Sequence, residues 1–397
     1  MLKIALLTVA MTTLAQAPVA LAQDRQQTPR PPFPYTVEEL VHEHPAGHSL
    51  GVSITLPDPF GPWGAGPVPA VVMVSGSGAQ DRDSTIFGHK PFAILADSLA
   101  RKGVATIRFD DRGVRESTGI FIEATTYDFA ADAAELIRVA AQHDSIDADR
   151  LGIMGHSEGG YVAMMVASGE ERVPEPGADA EAVSFVVLLA SPGVEARMMM
   201  AEQAVAQLRF KALNDQKLED VRTAHLAYTK AFVEDAPLEE VEEATRVLVI
   251  AQYGASGVQA PPAAVQQFVD RQSFMVKNDW FRQFLAIDPA PMLQRIDQPT
   301  LVVNGGKDLQ VLIDQNVPAI EAGLSAGGNN EITVLRYPSM NHIFQPARRG
   351  SIPEYNTIGQ SFDETALEEI TDWVAITSGA LTEDQLEAMK APTGFGP

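Results

Sequence analysis

The sequence of 397 residues contains no cysteine. Without a thiol the chain cannot form a structural disulfide, a thiolate metal site or a cysteine nucleophile, and no cysteine can carry a lipid anchor. Any covalent catalysis by this protein must therefore use another nucleophile.

Basic residues are scarce. Lysine and arginine total 29 against 52 acidic residues, which gives a formal net charge of -23. A surface this acidic repels phosphate backbones and anionic lipid headgroups, so we expect no nucleic-acid partner. No acidic run is long enough to suggest a binding tail, and we interpret the excess charge as a solubility feature.

Long apolar runs are missing except at the N-terminus. There, Lys3 precedes an apolar stretch from Ile4, and a small-x-small pattern ends at Ala22. This arrangement is typical of a secretory signal peptide, and we expect cleavage after Ala22 and a periplasmic or secreted protein. No later run could span a bilayer, so no membrane association is expected once the signal is removed.

Strand and helix patterns alternate along the rest of the chain, in which 45% of all residues are hydrophobic. Helices are predicted over 90–103 and 125–142. The strand candidates are 48–57, 69–78, 103–113, 150–155, 184–191 and 300–306. Such alternation predicts an α/β fold with a mostly parallel sheet covered by helices on both faces.

The alternation stops over 194–299, where successive amphipathic helical patterns predict an inserted cap. We interpret the methionines at 198–200 and the aromatics Trp280, Phe281 and Phe284 as packing residues, although the inner face of a cap would line any pocket. The predicted organisation is a signal peptide (1–22), a flexible linker (23–37), the first part of the core (38–193), the cap insertion (194–299), the second part of the core (300–379) and a C-terminal tail (380–397).

One serine lies between two glycines in the sequence Gly155-His156-Ser157-Glu158-Gly159. A strand pattern precedes this G-x-S-x-G motif and a small-residue helical pattern follows it, which is the context of a nucleophile elbow. The glycines are needed because the strand and the helix pass too close for side chains. Ser157 is then the candidate nucleophile, at a helix N-terminus that can stabilise negative charge.

A serine nucleophile needs a base and an acid, which in this fold follow in the order Ser, Asp or Glu, His. Asp308 lies in a glycine-rich turn after the strand at 300–306, and His342 lies in the next loop. Asp314 is a competing acid, but it is farther from the strand end. His156 is expected to point away from the site and to serve as packing or polar support.

Two backbone N–H groups are required for an oxyanion hole. One is that of Glu158, directly after the candidate nucleophile, and the other is expected from Ser77, in the loop supplied by the segment "VVMVSGSGAQDRD". Gly76 and Gly78 would let this loop approach a substrate carbonyl. A flexible turn or a phosphate loop is the alternative interpretation, but no Gly-Lys-Ser/Thr follows.

Several segments of the chain resemble α/β-hydrolase carboxylesterases of the EstD-like group, within the dienelactone hydrolase and serine aminopeptidase superfamily. The segments are "GSGAQDRD", "KPFAILADSLARKGVATIRFDDRGV", "GHSEGG", "NGGKDLQV" and "NHIFQ". The resemblance runs from about Tyr35 to Gly379 and is weak in the cap. It assigns the nucleophile, oxyanion, acid and base roles to Ser157, Ser77, Asp308 and His342.

The resemblance also implies that Asp81, Arg82 and Arg112 form a polar network beneath the oxyanion loop. Arg115 is a departure, because relatives usually carry a small residue, commonly glycine, at this position. It leaves the local turn in doubt and could put a positive charge near the mouth of the site.

These observations predict a serine hydrolase that cleaves small, short-acyl esters through an acyl-enzyme. No cofactor or metal is implied, because neither clustered ligands nor a dinucleotide fingerprint was found. The alternatives are a serine aminopeptidase or amidase, and a binding protein that kept the fold without catalysis, against which the intact triad speaks. Sequence leaves the physiological substrate and the oligomeric state open.

Overall fold

The structure is a computed structural model that describes residues 27–390 except 65, 176, 276 and 277. The predicted signal peptide and its cleavage site after Ala22 lie outside the described residues. Within the described part of the chain, no helix is both long and apolar enough to cross a membrane.

A single sheet of eight strands forms the centre of the described molecule, in the order β1-β2-β4-β3-β5-β6-β7-β8. β2 pairs antiparallel with β1 and β4, and all other pairs are parallel. The strands are β1 (Tyr35–Glu43), β2 (Ser49–Pro57), β3 (Val68–Val74), β4 (Ala105–Phe109), β5 (Ile146–His156), β6 (Phe185–Leu189), β7 (Thr300–Gly305) and β8 (Ile332–Tyr337). The predicted α/β class with a mostly parallel sheet is confirmed.

Two edge strands were absent from the sequence prediction. β1 (Tyr35–Glu43) begins inside the segment predicted as a flexible linker, so that boundary is wrong by three residues. Its side chains alternate between half-buried and exposed, and several of them are charged. β8 (Ile332–Tyr337) is also largely half-buried. Neither strand has the buried apolar run that made β3 to β7 recognisable.

Helices cover both faces of the sheet, each over its own apolar cluster. The helices outside the cap are α1 (Pro91–Ala100), α2 (Thr126–Ala141), α3 (Glu158–Ala167), α10 (Ile313–Ala326), α11 (Ile352–Tyr355), α12 (Glu364–Thr377) and α13 (Glu383–Lys390). α1 and α12 pack on one face with Phe92, Leu95 and Ile370, and α2 and α3 pack on the other. This two-sided cover explains why the central strands are apolar on both faces.

The predicted C-terminal tail contains a helix, α13, which is a correction to the sequence interpretation. Ala380, Leu381 and Leu386 are buried and belong to the same apolar cluster as α1 and α12. The segment is therefore part of the core up to Lys390. Its mostly charged surface gave too weak an apolar pattern for the sequence to indicate this packing.

Between β6 and β7 the described residues form six helices. They are α4 (Ala196–Leu208), α5 (Asp215–Val233), α6 (Leu238–Ala255), α7 (Pro262–Met275), α8 (Asp279–Leu285) and α9 (Ala290–Leu293). We call this set of helices the cap. Trp280, Phe281 and Phe284 of α8 are buried and join the cap to the apolar cluster of α2 and α3.

Candidate active site

Ser157 lies in a tight turn between β5, which ends at His156, and α3, which begins at Glu158. Its φ is 57°, a left-handed conformation that costs about 1–3 kcal/mol for a residue with a side chain. The neighbouring backbone leaves no room for a side chain at either flanking glycine. A Cβ on Gly155 would lie 2.0 Å from the carbonyl oxygen of Gly159, and one on Gly159 would lie 2.3 Å from that of Val74. The close approach of strand and helix therefore holds the serine in this strained turn.

Asp308 and His342 come together after β7 and β8. The Nδ1 of His342 is 2.7 Å from Oδ2 of Asp308, and both side chains are buried. The other carboxylate oxygen accepts the backbone N–H groups of Gln310 and Val311, at 2.7 and 2.9 Å. This carboxylate fixes the Nδ1–H tautomer, which leaves Nε2 as the basic nitrogen. The competing acid, Asp314, is exposed on α10.

Ser157 and His342 line the same cavity, which has a volume of about 120 Å³. The core contributes apolar side chains such as Ile86 and Val311, and the cap contributes Met199, Gln203 and Phe284. No hydrogen bond links Ser157 and His342, both of which are described, and catalytic hydrogen bonds are often long in free enzymes. The cavity thus brings the predicted nucleophile and base to one small, mainly apolar space.

The two predicted oxyanion donors also line this cavity. Among the described residues, the backbone N–H groups of Ser77 and Glu158 donate to no backbone or side-chain acceptor. A Cβ on Gly76 would lie 3.0 Å from the Cβ of Ser157, so the loop passes close to this serine. Gly78 has a φ of 107°, which residues with side chains rarely adopt. Both N–H groups are therefore available to an oxygen in the cavity.

The loop that carries Ser77 is held by Asp111, which sequence reasoning missed. Oδ2 of Asp111 accepts the backbone N–H of Gln80 at 2.8 Å, and Oδ1 accepts the Ser75 hydroxyl at 3.3 Å. Burial raises the pKa of the Asp111 carboxyl well above its usual range, and the nearby Glu158 carboxylate adds to this effect. Asp111 lies two residues after the end of β4, which was the only sequence signal for its position.

His156 supports the loop of the predicted base. Its Nε2–H donates to the backbone carbonyl of His342 at 2.8 Å, and the two rings lie 4.7 Å apart. Burial lowers the pKa of His156 to about 3, and the neighbouring His342 contributes to this shift. His156 is therefore neutral at physiological pH and acts as a fixed donor.

The side chain of Glu158 joins the cap to the core. It is 4% exposed, and its Oε1 accepts the Thr126 hydroxyl of α2 at 2.6 Å and the indole N–H of Trp280 at 2.9 Å. Sequence reasoning assigned only the backbone N–H of Glu158, because a pair of residues 122 positions apart leaves no local pattern. The residue after Ser157 thus contacts both the core and the cap, which together enclose the cavity.

The resemblance grouped three residues in one network, but the structure gives each of them a separate partner, which is a correction. Among the described residues, none of the three side chains pairs with another of the three, and Arg82 also contacts Glu39 and Glu116. The pairs are Asp81 with Arg115 at 3.1 Å, Arg82 with Asp110 at 2.6 Å, and Arg112 with Asp132 at 2.7 Å.

Arg115 adopts a φ of 49°, the left-handed region in which glycine is favoured. Its side chain is 67% exposed, pairs with Asp81 and does not line the cavity. The positive charge of Arg115, which we expected near the mouth of the site, is therefore paired with Asp81 outside the cavity lining.

One group of described residues has the spacing of metal ligands: His44, His48 and Asp132, with ligand atoms within 4.8 Å. The donor chemistry does not fit a cation. The backbone N–H of Ala46 donates to Nδ1 of His44, so the ring proton lies on Nε2, which has no lone pair left for a metal. Arg112 donates to both oxygens of Asp132. The arrangement is a buried ion pair with two histidines around it.

The order of strands and the positions of Ser157 after β5, Asp308 after β7 and His342 after β8 define an α/β-hydrolase. The chain belongs to the X-Pro dipeptidyl-peptidase (S15) family, whose model matches residues 46–327.

A curated relative is Esterase EstD of Thermotoga maritima, which is 27% identical over 315 residues. The match covers 79% of this chain and 63% of the length of that relative. The predicted resemblance to the EstD-like group is confirmed.

Among solved structures, Est1E of Butyrivibrio proteoclasticus with ferulic acid bound is 15% identical, with a TM-score of 0.47 over 88% of this chain and 99% of that one. The Pyrococcus furiosus esterase PF2001 is 12% identical, with a TM-score of 0.49 over 86% of this chain and 90% of that one.

Proposed function

We propose that this protein hydrolyses small carboxylic esters, with Ser157 as nucleophile, His342 as general base and Asp308 as the acid of the triad. The observation that carries the proposal is the shared cavity, in which a strained serine, a carboxylate-paired histidine and two unused N–H groups converge. The strained serine raises the energy of the free protein, and the two N–H groups are unsatisfied donors; an acyl-transfer reaction uses both features together with the paired histidine.

In the proposed mechanism, the Nε2 of His342 takes the hydroxyl proton as Ser157 attacks the ester carbonyl. The N–H groups of Ser77 and Glu158 stabilise the oxyanion, and Asp308 holds the histidine and stabilises its cation. His342 then protonates the leaving alcohol. Water activated by the same histidine hydrolyses the acyl-enzyme and regenerates the serine.

The size of the cavity supports a short acyl group. A volume of about 120 Å³ with apolar walls matches a small ester better than a long chain or a polymer. The relative of Thermotoga maritima is an esterase, which supports ester hydrolysis over peptide hydrolysis. The family model, named for X-Pro dipeptidyl-peptidases, favours a serine aminopeptidase or amidase as the second candidate.

The test is a panel of p-nitrophenyl acetate, butyrate, octanoate and palmitate beside alanyl and prolyl p-nitroanilides, measured as kcat/KM with the purified chain. We expect the short esters to be the best substrates, and Ser157→Ala to lower their turnover by about 10⁶ without changing circular dichroism. Anilide turnover tenfold above the best short ester would make the protein a peptidase. Retained activity in Ser157→Ala would remove the serine from the mechanism.

We also propose that the chain is exported to the periplasm or beyond, on the pattern that ends at Ala22. Expression of the full sequence in a Gram-negative host should yield periplasmic protein that begins at Gln23. Retention of the uncleaved chain in the cytoplasm would contradict this proposal.

A further inference from the structure

Among its described residues, the cap presents one polar side chain to the cavity. Of the three cap residues that line it, Met199 and Phe284 are apolar and Gln203 carries an amide. Met199 and Gln203 lie one turn apart on α4, so they share the face of this helix that points at the nucleophile. Gln203 therefore belongs to the wall that faces a bound substrate.

Gln203 is 2% exposed, and its side-chain amide has no hydrogen-bond partner among the described residues. The two amide atoms are not fully buried, so they retain access to the cavity, where a water or a ligand must supply the hydrogen bonds that the protein does not. An apolar residue of similar length, such as the methionine one turn earlier, would fill the same space and would need no hydrogen bonds. A glutamine at this position is useful if a ligand in the cavity forms hydrogen bonds with its amide.

We propose that Gln203 is a specificity-determining residue that binds a hydroxyl or carbonyl group of the substrate at a distance from the scissile bond. The preferred esters of this protein then carry a second oxygen function, in addition to the ester group. An amide suits this purpose because it donates and accepts hydrogen bonds and is uncharged. This inference rests on the proposed ester hydrolysis and adds the chemical class of the ester.

Isosteric ester pairs test the inference, because a methyl group replaces a hydroxyl group at constant volume. On the acyl side the pair is methyl 3-hydroxybutanoate and methyl 3-methylbutanoate. On the alcohol side it is 2-hydroxypropyl butanoate and 2-methylpropyl butanoate. For each pair, the ratio of the two kcat/KM values is measured with the parental chain, with Gln203→Met and with Gln203→Leu. A ratio cancels any general loss of activity from a disturbed cap.

Gln207 provides a matched control. It lies one turn further along α4, its Nε2 is buried without a partner, and it does not line the cavity. We expect the parental chain to favour the hydroxyl ester of at least one pair. Gln203→Met and Gln203→Leu should reduce that preference by about tenfold or more, and Gln207→Met should leave it unchanged.

Three outcomes would overturn the inference: no preference in either pair, a preference that survives in both Gln203 variants, or an equal loss in Gln207→Met. In all three, esters of these pairs are still hydrolysed, so the proposed ester hydrolysis is unaffected. If the parental chain hydrolyses no ester of either pair, the proposed function fails and the inference fails with it.

Discussion

The carboxylate of Asp308 accepts three hydrogen bonds, from the backbone of Gln310 and Val311 and from His342. Replacing it with asparagine keeps the shape of the side chain but can present an N–H to His342, which favours the wrong tautomer. We therefore expect Asp308→Asn to lower the turnover of a short ester by roughly 10⁴. Asp314→Asn, on an exposed position of α10, is the control and should retain parental turnover. If Asp314→Asn proved the damaging change, the assignment of the acid would be wrong.

At the scale of elements, α8 (Asp279–Leu285) connects the cap to Glu158, the residue after the proposed nucleophile. Its N-cap is Asn278, whose Oδ1 accepts the backbone N–H of Phe281, and Trp280 in its first turn donates to Glu158. The position of this short helix thus affects the residue whose backbone N–H is the proposed oxyanion donor. Packing of the cap and geometry of the oxyanion hole are coupled through one side chain.

Trp280→Phe tests this coupling, because it keeps an aromatic ring and removes the indole N–H. We expect the free energy of unfolding to fall by about 1–3 kcal/mol and kcat/KM for a short ester to fall by about tenfold. The control is Trp373→Phe on α12, whose indole donates to Thr333 on β8 at 3.0 Å. This change should lower stability and leave kcat/KM near the parental value. Equal kinetic effects of the two substitutions would show that the Glu158 contact has no special role.

At the scale of the whole molecule, buried histidines make stability depend on pH. His225 of α5 is buried in the cap, and burial lowers its pKa from 6.5 to about 4. Between these two values the unfolded chain binds a proton that the folded chain does not. Stability is therefore complete above about pH 6.5 and falls as the pH is lowered toward 4. Burial also lowers the pKa of His44 and His156, so their contributions have the same sign.

His225→Phe should weaken this dependence, because phenylalanine keeps an aromatic ring against Tyr228 and cannot bind a proton. The slope of unfolding free energy against pH between 6.5 and 4 should fall by up to about 1.4 kcal/mol per unit. Urea unfolding at pH 5, 6 and 7 measures it in both chains. Identical slopes would mean that His225 does not carry this part of the acid sensitivity.

The strands that sequence predicted correctly are those with an apolar run and turn residues at both ends, such as β5 and β7. β1 and the helix α13 were missed because their apolar residues are few and alternate with charged ones. The separate ion-pair partners of Arg82 and Arg112 could not be predicted from the sequence either. Several carboxylates lie within reach of each arginine along the chain, and only the fold decides which of them is near.

By itself the sequence determined the α/β class, the family resemblance and the chain positions of Ser157, Asp308 and His342. These follow from local patterns, because periodicity, glycine spacing and motif order are properties of neighbouring residues. Tertiary structure alone decided the contacts of Glu158 with Trp280 and the exposure of the Gln203 amide to the cavity. Both depend on how the cap packs over the sheet, and residues that meet across such an interface are far apart in the chain and share no local pattern.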